Sequence, residues 1–598
     1  MSSSHIKTVL CCIAALALLF CGVAVQAQSP STTPTTTTTD TTGTTTITPD
    51  TTTDPLAPPS SDPTLSAAAA SGVTDPGVRA SGSLTAPTCF ASPGPTRSDN
   101  TTLLKVPVPD CPQPPDTLGN EGAGNVLNNA GANTGTFWFN AIGIFGQLAT
   151  VDGSTDTNGN PTLKGLGPAF NGESCFQCHS QPTVGGTSPR SNPQFAAAID
   201  RGATNTAPTF LRTNGPIREA RFILDETDTT NKRLDGGVHE LFSIEGRKDA
   251  PVNCELDQPD FGTQQSRGNV IFRIPTPTFG LGLVENTPES VFQSYLSANA
   301  ADKTTYGISG HFNHNGNDGT MTKFGWKAQN KSLLLFAGEA ANVELGITNE
   351  IFNNEKVPGL SCALNGRPED NTHVVFSNGL TQPDTTNFVS SDIENFSIFM
   401  RINGAPSQCA FNSGTNPDGS PKCIALDDPT NPQTPNIQRG KTLFGLPENG
   451  GIGCALCHAN SAFLTDPSDV PGLSNRLFTP FSDFALHHMG ATLADGVSQG
   501  QSGPDEFRTA PLWGVGQRLF FLHDGRAGNL LQAIAAHHSN PSICFDTNST
   551  QSFTVNGVAF SPAASTHSCG SEANHAVDQF NTLTAADKLN LLKYLRSL

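Results

Sequence analysis

Cys175-Phe176-Gln177-Cys178-His179 and Cys454-Ala455-Leu456-Cys457-His458 are two copies of one pattern, Cys-x-x-Cys-His. Two thiols three residues apart on a helical turn can reach both vinyl groups of a porphyrin, and the adjacent histidine can swing beneath the plane to ligate iron. A zinc site or a dithiol redox pair is the other reading of Cys-x-x-Cys. Zinc asks for four ligands close together, and neither copy has a second pair nearby. The sequence therefore predicts two covalently bound haem c groups, held by Cys175 and Cys178 and by Cys454 and Cys457, with His179 and His458 as proximal iron ligands.

The flanks fit this reading. Gln438 to Phe444 predicts a short helix, followed by a Gly-rich stretch and Cys454. At the end of the chain, Thr584 to Asp587 reads as a helix cap, followed by Leu589, Leu592 and Leu595 on one face. The pair resembles the first and last helices of a cytochrome c domain, and Gly167-Pro168-Ala169-Phe170-Asn171 leads into the first motif in a tighter version. The expected fold is mainly α with long loops, as two cytochrome c-like haem domains sharing an interface and linked around residues 390 to 435. The expected divisions are a signal peptide over 1–27, a Thr/Ser/Pro-rich disordered linker over 28–85, an N-terminal haem c domain over 86–395 and a C-terminal one over 396–598.

Lys7, an apolar run from Thr8 to Val25 and the small-x-small Val25-Gln26-Ala27 read as a secretory signal, with no integral membrane segment after cleavage. That predicts a periplasmic or secreted protein, which agrees with haem c attachment outside the cytoplasm. Twelve of the 15 cysteines remain once Cys11, Cys12 and Cys21 leave. Eight of these lie outside the motifs. Short-range pairing would join Cys89 to Cys111, Cys254 to Cys362, Cys409 to Cys423 and Cys544 to Cys569, although many other connectivities are open. Among 598 residues, 33 Lys+Arg against 52 Asp+Glu give a net charge of −19, the wrong sign for gripping nucleic acid. With 14% charged residues, 58 Gly and 45 Pro, a heptad rod is also excluded.

Three further segments resemble the di-haem oxidoreductases, relatives of the di-haem cytochrome c peroxidases and of MauG-type enzymes. They are Phe324-Gly325-Trp326-Lys327-Ala328 with Glu344-Leu345-Gly346-Ile347-Thr348; Leu486-His487-His488-Met489-Gly490; and Phe507 to Gly514 running into Leu522-His523-Asp524-Gly525-Arg526-Ala527. The resemblance spans about residues 160 to 598. It implies that Trp326 lies between the haems and assists electron transfer, where a core tryptophan is the plain alternative. It also implies that Glu344 stands over the N-terminal haem, taking a proton from bound peroxide and returning it to the departing oxygen; a solvent-facing helix carboxylate is the alternative. Where relatives place a glutamine this chain has Phe336, an apolar substitution that resembles the di-haem rubber oxygenases and suits dioxygen with a greasy substrate.

Aligning on His523-Asp524-Gly525 puts His537 where peroxidases carry a methionine ligand, so the C-terminal haem would be six-coordinate and an electron relay. His538 is the neighbouring alternative, and Met321, Met400 and Met489 are the remaining methionines after the leader. The relatives' Leu-His-Asp-Met-Gly appears with His488 in place of the aspartate. Arg508 and Arg526 are candidates for haem propionates, with ordinary ion pairs as the alternative. A calcium ion between domains is common in the peroxidases. The implied activity is peroxidase-like, with hydrogen peroxide or dioxygen at the N-terminal haem and a small exported electron-transfer protein as partner. An oxygenase cleaving an apolar substrate and a non-catalytic electron carrier are the rival readings.

Overall fold

Two helix pairs bracket the two motifs. Helix Ala132–Gly146 packs against helix Asp392–Ile402, and helix Thr434–Phe444 packs against helix Ala585–Leu595. Asp392–Ile402 starts at a capping box in which Ser391 and Glu394 satisfy each other's backbone N–H groups. Thr584 caps the last helix through the N–H of Asp587. The second pair meets closely at Gly440, where a Cβ atom would lie 2.1 Å from the Asn590 carbonyl oxygen, so any larger residue would force the helices apart.

The computed structural model describes residues 62–76, most of 137–194, parts of 208–254, all of 258–356, 367–371, 391–405, nearly all of 429–543, and 569–598, with short backbone strands and one helix start elsewhere. The leader 1–27 lies outside the described residues, as do the side chains of Cys89, Cys111, Cys362, Cys409, Cys423 and Cys544. The chain divides into Met1–Thr51 and Thr52–Leu598, and the elements discussed all belong to the second unit.

The expected mainly-α fold of two cytochrome c-like domains is not what forms. Among the described residues fourteen helices hold 35% and strands another 13%, and the strands make ten two-stranded sheets and one of three strands. The physical reason lies in the spacing of Gly and Pro. Apolar runs are cut before they can extend a helix, the longest being 15 residues, and the connecting segments satisfy their backbone groups by pairing two or three residues at a time. The three-stranded sheet, with Glu219–Phe222 between Val238–His239 and Val270–Arg273, and the ladder of Leu486–His488 with Glu506–Arg508 both supply side chains to the site. Cys254 and Cys569 are disulfide-bonded, and Cys569 lies opposite Cys544 in an antiparallel pair. Among the described residues no helix is long and apolar enough to cross a membrane.

Within the stretch read as linker, helix Pro63–Ala70 is capped by Asp62 and packs on helices Leu530–Ala536 and Asn574–Thr582. Just after it, Asp75 makes a buried bidentate pair with Arg596 (2.6 and 2.9 Å) and accepts the N–H of Leu530 at 2.6 Å. Removing one partner of a buried pair strands the other charge. Asp75→Ala is therefore expected to destabilise the protein by about 3–5 kcal/mol, read as a fall in the urea midpoint. An unchanged midpoint would show that the strap adds nothing to stability.

Candidate functional site

Each motif opens onto its own cavity. Ser174 starts the turn Cys175–Cys178 by accepting the N–H of Phe176 at 3.2 Å, and one turn puts both thiols on the same side. The cavity there spans about 1190 Å³ including its opening to solvent, and its wall includes Cys175, Cys178, His179, Trp326, Phe336 and Glu344. The second spans about 1490 Å³ including its opening to solvent, with Cys454, Cys457, His458, Trp326, Arg508 and His537 in its wall. Gly453, at φ +91°, turns the chain into the second motif beneath the ring of Tyr306, where a Cβ would lie 2.5 Å from the ring.

Three histidines share one arrangement. His179 donates from Nδ1 to the Gly186 carbonyl at 2.9 Å, His458 to Phe481 at 3.0 Å, and His537 to Ala533 at 2.6 Å. Burial lowers the pKa of all three, to about 4 for His179 and His458. Each ring is thus neutral with its lone pair on Nε2, the form that ligates a metal. Phe145 packs edge-on to His179 and Phe444 against His458. The other histidines near the motifs are engaged differently. His487 is held through both nitrogens by Asp483 (3.0 Å) and Glu572 (2.6 Å). His488, at the altered motif position, meets Asp505 and Glu506. His538 turns to Asp578 at 3.6 Å and is absent from both cavity walls. Met400 lines the first cavity and Met489 the second, whereas Met321 lines neither.

Trp326 stands in the walls of both cavities. It is buried, and its indole N–H donates to the Ile274 carbonyl at 2.8 Å. Arg508 fixes the same segment, donating from its backbone N–H to the Trp326 carbonyl (2.9 Å) and from Nε to that of Gly325 (2.8 Å). His523 stacks on Phe507 at 4.2 Å and meets Trp326 edge-on at 6.4 Å. Behind the tryptophan, Lys327 pairs with Asp495 at 3.1 Å, as does Arg273 at 2.7 Å.

Glu344 comes from the last turn of helix Leu333–Leu345. It is half-buried and stands in the wall of the cavity. Burial, then the neighbouring Glu219, raises its pKa well above the ordinary carboxylate range. Asn171 ties it to the first motif: its Nδ2 donates to Glu344 Oε2 at 2.8 Å, and its backbone N–H to the Glu344 carbonyl at 2.8 Å. Phe336, about two turns earlier on the same helix, is half-buried. Glu219, Arg221 and Asn171 are functional candidates that no motif reading found. The only signal in sequence is the alternation Glu219-Ala220-Arg221-Phe222, which puts two charges on one face of a strand.

The residues fit a haem in each cavity. All four motif cysteines are free of disulfides. Burial pushes Cys175 and Cys454 up to about 12 and raises Cys178 and Cys457 as well. Arg508 and Arg518 are buried in the wall of the second cavity, and among the described residues neither meets a carboxylate. Burial lowers both to about 10. Two buried guanidiniums without counter-ions call for an anion such as a propionate. Arg526 is elsewhere, bonded to Asp524 and the Thr492 carbonyl. Among the described residues the one compact group of possible metal ligands is Cys457, Asp483 and His487, one sulfur, one carboxylate oxygen and one nitrogen, unlike the all-oxygen cage of calcium.

Neither the curated proteins nor the solved structures contain a match to this chain. A family model described as "Di-haem oxidoreductase, putative peroxidase" matches residues 423–554, the stretch carrying the second Cys-x-x-Cys-His motif, the Leu486–Arg508 ladder, the His523-Asp524-Gly525 segment and His537. Over that stretch the chain is similar to the di-haem oxidoreductase family.

Proposed function

We propose that the chain is an exported di-haem c-type oxidoreductase of the peroxidase kind, periplasmic or secreted, fed by a small electron-transfer protein. The observation that carries this reading is Trp326 in a wall common to two unlike cavities. In one, His458 and His537 each have the ring fixed by a backbone carbonyl; in the other, His179 alone is fixed so, with Glu344 in the same wall. When bound, the two haems supply iron redox chemistry toward peroxide or dioxygen.

The remaining work belongs to the chain. Cys175 and Cys178, and Cys454 and Cys457, anchor the porphyrin edges. His179 and His458 present Nε2 from rings fixed by a backbone carbonyl, and His537 closes the second site. Arg508 and Arg518 offset propionate charge there. Glu344 moves a proton to and from the peroxide oxygens, and Asn171 holds its carboxyl in place. Trp326 bridges the two cavities by its bulk and its locked indole.

Phe336 favours a second reading. Its ring makes part of the first cavity apolar, which suits dioxygen and an apolar organic substrate over polar peroxide. Turnover of purified holoprotein separates the two. Consumption of hydrogen peroxide with a reduced small cytochrome is expected, and cleavage of polyisoprene under oxygen without peroxide consumption would favour the oxygenase. Two covalently held haems, one high-spin and one low-spin by electron paramagnetic resonance, are expected. Two low-spin centres inert to cyanide and carbon monoxide would leave only an electron carrier.

A further inference from the structure

Strand Glu219–Phe222 turns Glu219 and Arg221 to one face, and both reach the wall of the first cavity beside Glu344. We propose that Glu219 is a positioning residue for Glu344: the two carboxyl groups share one proton, and Arg221 and Asn171 decide which of them holds it. The inference rests on the reading of Glu344 as the acid–base group and extends it to a second acid.

The partners are unequal. Glu219 is hydrogen-bonded to the Arg221 guanidinium, which is itself fixed by the Gly236 carbonyl at 2.8 Å from Nη1. Glu344 has the neutral amide of Asn171 at 2.8 Å. Asn171 cannot turn away, because its Oδ1 accepts the Leu241 N–H at 2.9 Å and its carbonyl accepts from Gln194 at 2.7 Å. Two adjacent carboxyls deep in a protein cannot both ionise. The cation stabilises the charge on Glu219, so the proton resides on Glu344. The outer charges agree with this order. Arg273 lies on the Glu219 side, in register across the strand pair, and Lys356, the cation acting on Glu344, is paired with Glu240. Glu339, also in the wall, is bonded to Asn330. Glu344 thereby holds the shared proton much of the time at neutral pH, and Glu219 sets how large an ionised fraction is left to accept a proton from peroxide.

Cyanide binding to the holoprotein tests this without turnover, since hydrogen cyanide must give its proton to a nearby base as it binds. In the wild type the association rate is expected to rise with pH around the ionisation of Glu344. Glu219→Gln removes the neighbouring anion and is expected to move that midpoint down by about one pH unit or more, while Glu219→Asp keeps it within a few tenths. A purely structural role would scale the rates and leave the midpoint in place, which would overturn the proposal. Glu344→Gln should abolish the pH limb; if the limb persists unchanged, the reading of Glu344 fails, a result distinct from an unmoved midpoint in Glu219→Gln. Should Glu219→Gln not load haem, the infrared spectrum of the wild type at neutral pH decides. A protonated carboxyl band that Glu344→Gln removes supports the shared proton, and no such band refutes it.

Discussion

Replacing His537 with alanine is expected to double the number of cyanide-binding irons, from one per chain to two, and to remove the low-spin signal of the C-terminal haem. The imidazole is the C-cap of helix Leu530–Ala536, and its Nδ1–H is bound to the carbonyl one turn earlier. That hydrogen bond fixes ring orientation and tautomer together, as for protein ligands of metals generally. Alanine preserves the helix and loses only the ligand, so the folded state should survive while the potential of that centre rises. Asp75 holds the other end of this helix through the Leu530 N–H, so Asp75→Ala should loosen the same ligand without removing it and give a fractional high-spin signal. Met489 lines the same cavity. A low-spin centre that persists in His537→Ala and vanishes in Met489→Ala would transfer the sixth position to the methionine and reverse the assignment.

The parts of the site that were legible in sequence are those in which chemistry imposes a spacing. Two thiols and a histidine must sit on one turn, so Cys175–His179 and Cys454–His458 announce themselves in any context. His537 is offered as a ligand by its distance from the His523-Asp524-Gly525 segment, and sequence alone leaves His538 beside it as the alternative. The structure separates them by what each touches, a helix carbonyl for His537 and Asp578 for His538. Glu219, Asn171 and Arg518 obey no spacing rule. They come from a strand, a loop and a turn that meet only after folding, and each is an ordinary polar residue in its own segment. The fold class was misread for a related reason. The helix pairs around the motifs were visible as apolar periodicity, but the small two-stranded sheets rest on pairs of two or three residues, too short for a period to appear. The strap at Asp75 was hidden by its low-complexity neighbourhood, since its anchoring partner Arg596 lies more than five hundred residues away in sequence.

Glu344→Gln is expected to lower peroxide turnover by about 10²–10⁴-fold, the usual contribution of a positioned proton carrier, with no loss of stability. Glutamine keeps an oxygen to accept the Asn171 amide and nearly the same volume, so binding and packing are retained. The stability expectation follows from the direction of the pKa shift. A carboxyl whose pKa is raised on folding, here by burial and then by Glu219, binds its proton more tightly in the folded state. It therefore lowers stability progressively as pH climbs from the unfolded carboxylate value through the folded one. Glutamine has nothing to ionise and escapes that cost, so above the unfolded carboxylate range the variant should melt no earlier than the wild type, and the gap in its favour should widen with pH. A residue retained although its replacement is no less stable is one kept for what it does. Paired measurements of turnover and melting temperature over pH check both halves. Undiminished turnover would remove Glu344 from the chemistry, whereas lost turnover together with a fall in melting temperature would make it a structural acid whose loss distorts the cavity.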